Sequence, residues 1–209
     1  MTGSFSDPLP DSLLAHYRQA LETYIDAKDN TKPERIHEAF APDAVLTFSL
    51  ATPNIAFPAR SVGADAIAKT LVSDFGARYS RCRTYYLCDA DALVARDGVI
   101  DSLPWLVVMR EPAAGALRVG HGTYRWVFAS PGDTGRSAPR VAHFHIHIAR
   151  MDVIDDLDGA KLERLQEGLR YPWLAPAELA AHYGALAGEA AGEFAFVRDF
   201  ALAARGIDA

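Results

Sequence analysis

The chain contains little cysteine, and this excludes a fold held together by disulfide bonds. Only Cys82 and Cys88 occur among its 209 residues. Small secreted scaffolds that depend on disulfides carry many more cysteines for their length. The N-terminal stretch MTGSFSDPLPDSLL has no positive charge ahead of an apolar core, so no secretory signal peptide is predicted. We therefore expect a reducing compartment and a cytoplasmic protein.

Long apolar runs and an excess of basic charge are also missing. The longest apolar runs, such as LPWLVVM, are far too short to span a bilayer. The formal net charge is −6, and the 21 lysines and arginines form no continuous run. A mildly acidic surface offers no electrostatic attraction for nucleic acid or anionic membrane. We therefore expect neither of these as a partner.

Apolar residues are plentiful, and their spacing indicates both helices and strands. Half of the residues are hydrophobic, which is enough for a sizeable core in a chain of this length. The first helix is predicted over residues 12–28, because five apolar side chains recur there at helical spacing. These side chains are Leu14, Tyr17, Leu21, Tyr24 and Ile25.

The later segments change from helix to strand and back to helix. PERIHEAF (33–40) predicts a short helix, AVLTFSL (44–50) a strand, and the stretch that begins at Gly63 a third helix. Turn-bounded strands then predict an antiparallel meander over residues 83–90, 103–111, 117–129 and 140–154. The sequence thus predicts an α+β domain over residues 1–155 and a helical C-terminal extension over residues 156–209.

Two stretches carry a resemblance to a known family. YIDAKDNTKPERIHEAFAPDAVLTF (24–48) and VGADAIAKTL (62–71) resemble SnoaL-like proteins of the nuclear-transport-factor-2-like superfamily, and the resemblance covers roughly residues 10–152. It implies a cone, in which a strongly curved antiparallel sheet wraps around the N-terminal helices and leaves a pocket. The family includes ketosteroid isomerases, polyketide cyclases, scytalone-type dehydratases and non-catalytic binding or dimerisation modules. The fold alone therefore does not decide the function.

This chain departs from the family pattern in three places. Many members carry a histidine soon after the third helix, whereas YSRCRTYYL has none. Many enter the last strand through Gly-Gly-Trp-Arg-Ile, whereas APRVAHFHI stands here. The last fifty residues exceed the usual domain. The first departure weakens the assignment as a dehydratase, and the last implies an added layer that covers the cone or contacts a partner.

The stretch VAHFHIHIAR (141–150) places His143, His145 and His147 on one face of a predicted strand. Neighbouring positions on that face lie about 6.6 Å apart and the outer two about 13 Å apart, from the rise per residue. All three imidazoles therefore cannot share one metal ion, whose ligand nitrogens lie at about 2 Å. A metal would need His121 from the next strand as a third ligand, and we expect no metal site.

Two further interpretations of these histidines remain open. In one, they form a polar pocket wall, with His121 or His145 as the catalytic base. The resemblance to ketosteroid isomerases then assigns the oxyanion to a first-helix tyrosine, Tyr24 or Tyr17. Substrate contacts are assigned to Tyr17, Trp105, Trp126, His143 and His147. In the other interpretation, the histidines lie on the convex face of the sheet, which forms a dimer surface.

Two hypotheses for the function follow. The chain is a cofactor-independent isomerase, cyclase or dehydratase that acts by proton transfer on an apolar carbonyl compound, or it is a non-catalytic ligand-binding or dimerisation module. In both cases we expect a small apolar ligand in the cone pocket, no cofactor, and a homodimer. An enzyme requires an acid/base pair within hydrogen-bond reach of the ligand, and a binding module does not.

Overall fold

The computed structural model describes residues 11–129, 138–189 and 192–205. The other parts of the two predicted ranges, 1–155 and 156–209, lie outside the described residues. Within the described residues the chain is α+β, as the sequence predicts. Its N-terminal helices are α1 (Asp11–Asp29), α2 (Ile36–Ala39), α3 (Ala64–Ala68) and α4 (Asp74–Arg78).

One helix was predicted after Gly63, but the structure divides it. A π-helical turn at Lys69–Ser73 joins α3 to α4. Such turns widen the helix locally and recur at functional sites. The turn places Leu71 and Val72 in the core.

Six strands form one curved sheet in the order β2-β1-β6-β5-β4-β3. The strands are β1 (Phe40–Leu50), β2 (Arg60–Val62), β3 (Ser80–Tyr86), β4 (Val99–Glu111), β5 (Ala116–Phe128) and β6 (Val141–Asp155). Breaks in register interrupt four of the five strand pairs. Bulges of this kind bend a sheet and increase its twist, which explains the curvature.

The sheet differs from the predicted antiparallel pattern at one pair of strands. β3 to β6 form the expected antiparallel meander, but β1 and β6 run parallel, with Phe48 opposite Ile146. β1 also begins earlier than predicted, at Phe40, because the chain is already extended before Pro42. A break in register between Phe40 and Val45 accommodates that proline.

The inner face of the sheet, defined here as the face that packs on α1 to α4, carries the main core. Tyr17, Leu21 and Tyr24 on α1 are buried in the same cluster as Trp126 on β5 and Phe144 on β6. The indole of Trp126 stacks on the Phe144 ring with 3.7 Å between ring centroids. The predicted apolar face of α1 is therefore the face that fills the cone.

A second core lies on the outer face, the opposite side of the sheet. Its helices are α5 (Ala160–Gln166), α6 (Pro176–Ala187) and α7 (Arg198–Arg205). They pack on apolar side chains of β3, β4 and β5 and on Leu87 just beyond β3. These side chains are Tyr85, Leu87, Leu106, Val108, Leu117 and Val119. The C-terminal helices thus form the added layer expected from the sequence, and the division at residue 155 stays a prediction.

None of the helices within the described ranges is both long enough and apolar enough to cross a membrane.

Candidate functional site

The histidines of β6 lie on the outer face, away from the main core. Phe144, Ile146 and Ile148 point into the inner core, and the alternation of the strand sends the histidines between them to the other side. His143, His145 and His147 are half-buried there, on the part of the outer face next to β1.

These three imidazoles and two hydroxyls of β1 form a continuous hydrogen-bonded chain, which we call the histidine ladder. Thr47 Oγ1 lies 3.1 Å from His143 Nε2 and 2.8 Å from His145 Nδ1. Ser49 Oγ lies 3.0 Å from His145 Nε2 and 2.8 Å from His147 Nδ1. A hydroxyl can donate one hydrogen bond while it accepts another, and a neutral imidazole can do the same, so the four contacts require no charge on the ladder.

The surroundings of the ladder favour the neutral imidazole. Burial lowers the pKa of His143, and the charge of Arg125 and the neighbouring His145 lower it further. Burial also lowers the pKa of His145, with further contributions from His147 and Arg125. Both groups are therefore uncharged at pH 7, since even an unperturbed histidine is mostly neutral there.

His121 also lies on the outer face, beneath α7. Its ring meets the Phe200 ring edge-on at 5.4 Å between centroids. Arg150, whose guanidinium lies over the same phenyl ring, bonds Asp152 and Asp199. Burial and the Arg150 charge lower the pKa of His121. Through this ring contact His121 on β5 meets α7.

The structure does not assemble the predicted catalytic group. Tyr24 lies on the inner face, whereas His121 and His145 lie on the outer face, so the sheet separates the tyrosine from both histidines. The physical reason is the strand period of two. Once Phe144 and Ile146 fill the cone, the histidines between them must face outward.

The cone contains a small apolar cavity between α1, the π-helical turn and the inner face of the sheet. Its volume is about 30 Å³, which suits a water molecule and is well below the ~300 Å³ at which ligand pockets begin. Its wall is mostly aliphatic and aromatic. The lining residues are Tyr24, Lys28, Phe48, Ile55, Phe57, Leu71, Phe75, Trp105, Val107, Met109, Tyr124, Ile146, Ile148 and Met151.

Two of the predicted site residues, Tyr24 and Trp105, line this cavity. The Tyr24 hydroxyl and the Trp105 Nε1–H are both buried and have no hydrogen-bond partner within 3.5 Å, although the Tyr124 phenol lies close enough to Tyr24 to influence its pKa. Burial raises the pKa of Tyr24 far above its usual range, so the phenol keeps its proton. Tyr17 and Trp126 lie deeper in the same aromatic core, and the described lining of the cavity does not include them.

A buried ion pair stands at the cavity wall, at the end of α1. Lys28 Nζ lies 2.7 Å from Asp29 Oδ1, and the side chains are only 7% and 1% exposed. The ammonium group also donates to Thr84 Oγ1 at 2.7 Å and to Cys82 Sγ at 3.3 Å. It lies 4.5 Å from the centre of the Phe75 ring.

The partners of this ion pair keep both groups charged. Burial opposes the charge on Lys28, but the negative charge of Asp29 and the hydrogen bond to it outweigh burial and raise the pKa of Lys28. Burial also opposes the charge on Asp29, but Lys28 and the backbone N–H of Thr84 lower the pKa of that carboxyl. Burial and the Asp29 charge raise the pKa of the Cys82 thiol to about 12, so it stays protonated.

The C-terminal layer reaches this ion pair through one tyrosine. The Tyr171 hydroxyl donates to Asp29 Oδ2 at 2.9 Å. The adjoining segment is fixed to β3 by backbone hydrogen bonds between Tyr86 and both Pro172 and Leu174. The carboxylate therefore accepts four hydrogen bonds, two from Thr84 and one each from Lys28 and Tyr171.

The connection between β1 and β2 closes the mouth of the cavity. The ring of Phe57 stacks on Phe48 at 4.5 Å between centroids, with 3° between the planes. A groove of about 180 Å³ lies on the far side, and Ile55, Phe57 and Phe75 line both the groove and the cavity. Asn54 fixes the connection by donating to the Met151 carbonyl at 2.7 Å.

The sequence analysis missed Lys28, Ile55 and Phe57. A signal for Lys28 was present, because it follows Tyr17, Leu21 and Tyr24 at helical spacing and so falls on the inward face of α1. A charged residue at such a position indicates a buried partner. No comparable signal marks the two connection residues, since an irregular segment has no periodicity.

No three His, Cys, Asp or Glu side chains in the described ranges are grouped so that they could hold a metal ion.

The comparisons with known proteins concern the fold. No protein-family model and no curated protein matches the chain. A nuclear transport factor 2-like superfamily protein from Salmonella enterica is 16% identical with a TM-score of 0.49, over 64% of this chain and 89% of that one. A ketosteroid isomerase-like protein from Erwinia carotovora atroseptica is 11% identical with a TM-score of 0.48, over 68% and 99% of the two chains. An M. tuberculosis LEH-like epoxide hydrolase is 14% identical with a TM-score of 0.42, over 64% and 83%.

The solved structures to which the chain is similar thus include a nuclear transport factor 2-like protein and a ketosteroid isomerase-like protein. The SnoaL subtype stays a prediction.

Proposed function

We propose that this chain binds a small apolar molecule in the cone cavity and does not catalyse a reaction of that molecule. The observation that carries the proposal is an apolar cavity lined mostly by aliphatic and aromatic side chains, with Lys28, Tyr24 and Trp105 among its lining residues. Ligand sites in proteins combine a mostly apolar lining with a few polar groups that fix orientation. Tyr24 and Trp105 are the contacts that the sequence analysis and the geometry have in common.

The present volume requires the mouth to open before a ligand enters. Phe57 is half-buried and belongs to a connection without regular structure, so its ring is the wall that moves most readily. Displacing Phe57 would join the cavity to the adjoining groove, because the same ring lines both.

The alternative proposal, catalysis by proton transfer, lacks a suitable base. Among the described residues of the cavity wall there is no histidine, aspartate or glutamate. The carboxylate that pairs with Lys28, that of Asp29, has its pKa lowered and accepts four hydrogen bonds. A general base works best with a pKa near the operating pH, so this arrangement favours binding over isomerase, cyclase or dehydratase chemistry.

Binding of methylenecyclohexane, a small hydrocarbon, tests the proposal. The wild-type chain should bind it, and Phe57→Ala should strengthen binding about tenfold, or by about 1.4 kcal/mol, because the cavity gains room. Val94→Ala is the matched control, since Val94 is 63% exposed and does not line the cavity. Calorimetry that detects no binding by either the wild type or Phe57→Ala would contradict the proposal.

A homodimer is a second proposal, and it uses the part of the outer face that the C-terminal helices leave uncovered. This part carries the histidine ladder and the exposed Val62. A broad sheet face of mixed polar and apolar side chains is suited to a two-fold interface. Sedimentation of the wild-type chain at micromolar concentration should give a dimer, and a monomer would overturn this proposal.

A cytoplasmic location is likewise proposed on the sequence alone.

A further inference from the structure

The hydrogen bonds of the histidine ladder join three titratable rings on the outer face of the sheet. Thr47 Oγ1 bridges His143 Nε2 and His145 Nδ1, and Ser49 Oγ bridges His145 Nε2 and His147 Nδ1. The central ring therefore uses both of its nitrogens in these contacts, and each outer ring uses one. His143 Nδ1 and His147 Nε2 are the two ends of the chain.

The two hydroxyls link the tautomers of the three neutral rings. A neutral imidazole has one N–H donor and one acceptor nitrogen, and a hydroxyl has one hydrogen to donate. When His147 Nδ1 donates to Ser49, that hydroxyl donates to His145 Nε2, so the central ring carries its proton on Nδ1. The same step through Thr47 leaves the proton of His143 on Nδ1. When the chain runs in the opposite direction, all three rings carry the proton on Nε2.

A proton added at one end of the ladder can reach the other end while all four contacts are kept. A proton on His147 Nε2 makes that ring cationic. Its Nδ1 proton can pass to Ser49 Oγ while the hydroxyl proton passes to His145 Nε2, which moves the charge to the central ring. The same exchange through Thr47 moves the charge to His143. In each of these three states both hydroxyls still accept one hydrogen bond and donate another.

A second proton is opposed by the charge of the first. Neighbouring rings are bridged by a single oxygen atom at 2.8 to 3.1 Å from each nitrogen, so two adjacent imidazolium ions would repel each other at close range. If both outer rings were charged instead, His145 would have to accept at both nitrogens, which a neutral imidazole cannot do.

The groups around the ladder also disfavour further positive charge. They are Arg60 on β2, Arg125 and His121 on β5, and Asp101 on β4. Burial lowers the pKa of His143 and of His145, and the positive charge of Arg125 lowers both further. The carboxylate of Asp101 lies 3.6 Å from Arg125 Nε, so it compensates the arginine.

We propose that the histidine ladder is a single proton-holding unit, which takes up one proton in mild acid and shares it among three imidazoles through two hydroxyls. The histidine side of the outer face then gains one positive charge in this step, whereas three independent histidines would gain three. The ladder is thus a pH-responsive element of the sheet. This inference does not depend on ligand binding in the cone.

Titration of the three imidazoles by ¹⁵N NMR between about pH 8 and 5 tests the inference. In the neutral form, the Nδ1 and Nε2 resonances should show the same tautomer ratio in all three rings. In the first step the three rings should respond at one common pH, and their fractional changes should add up to about one proton. Three full changes at separate midpoints, or different tautomers in the neutral rings, would contradict the inference.

Two variants test the role of the hydroxyl bridges. Ser49→Ala should release His147, which should then titrate alone with a full change. The whole ladder should accordingly take up about two protons where the wild type takes up about one. Thr47→Val should release His143 in the same way, and it decides the matter if the first variant does not fold.

Thr123→Ala is the matched control. Thr123 lies opposite His147 on β5 but takes part in none of the four contacts of the ladder. Its removal should leave the shared titration unchanged. A shared step that persists in Ser49→Ala, or one that is lost equally in Thr123→Ala, would overturn the inference.

Discussion

At the scale of single residues, the buried polar groups determine what the cone can do. Lys28 and Asp29 form an ion pair at the cavity wall, and the histidine ladder lies on the other side of the sheet. The ion pair is buried and charged, whereas the ladder is half-buried and the pKa values of His143 and His145 in it are lowered. These two clusters therefore respond differently to mutation and to pH.

Removing one member of the ion pair should destabilise the protein more than removing both. Lys28→Met alone leaves Asp29 buried without its counter-charge, and we expect a loss of about 3–5 kcal/mol in the free energy of unfolding. The double variant with Asp29→Asn should recover most of that loss. Lys69→Met is the control, because Lys69 pairs with Asp74 on the surface, and it should change stability by less than about 0.5 kcal/mol. Urea unfolding provides the values, and a double variant as unstable as the single one would contradict the account.

The ladder should make stability fall in mild acid. The pKa values of His143 and His145 are lowered in the folded state, so the unfolded chain binds more protons as the pH drops through the ordinary histidine value of ~6.5. Stability contributed by these groups is thus complete above that pH and decreases below it. Titration of the His143 and His145 resonances by NMR should give lower pKa midpoints in the folded protein than in the same protein unfolded in urea. Midpoints at or above the unfolded values would show that the ladder does not favour the neutral form.

At the scale of elements, the close contact of β5 with β6 depends on a glycine. A Cβ atom at Gly122 would come within 1.9 Å of the His147 carbonyl oxygen and 3.0 Å of the Trp105 ring. The break in register next to Gly122 brings the two backbones together there. The register of β5 with β6 is therefore broken beside a position that has no space for a Cβ atom.

Gly122→Ala should accordingly destabilise the sheet by more than about 3 kcal/mol, because a backbone atom and not a flexible side chain blocks the new methyl group. The matched control is Gly188→Ala, whose Cβ would meet nothing closer than 3.4 Å. Thermal unfolding followed by circular dichroism compares the two variants. Equal melting temperatures for both would contradict the geometry at this strand pair.

The helices and strands also show how much of the structure could be predicted from the sequence. The helical spacing of Tyr17, Leu21 and Tyr24 was sufficient to predict α1 and its inward face. The alternation in β6 showed that the three histidines share a face but not which face, because that depends on what packs against Phe144 and Ile146. Phe57, which lines the cavity at its mouth, lies in an irregular connection. Such a segment has no periodicity from which an inward-facing side chain could be predicted.

At the scale of the whole molecule, the sheet has a core on each face. The C-terminal helices cover the apolar outer side chains of β3 to β5, and their described core does not include the histidine side of the outer face. The two cores share one sheet, and the boundary that the sequence predicts at residue 155 stays a prediction.

A chain truncated after Asp155 should consequently aggregate. The truncation would expose Leu106, Val108, Leu117 and Val119, all of which are at most 1% exposed in the full chain. Apolar patches of this kind drive association. Size-exclusion chromatography of the truncated and full chains makes the comparison. A monodisperse truncated chain with native circular dichroism would show that residues 1–155 fold independently.

The central claim is that the interior of the cone, and not the outer face, is the ligand site. Intermolecular NOEs between methylenecyclohexane and the methyl groups of the ¹³C-labelled protein test it most directly. We predict NOEs to Ile146 and Met109, which line the cavity, and none to Val62 or Val94 on the surface. NOEs confined to surface methyl groups, or saturable binding without contact to Ile146 and Met109, would contradict the account.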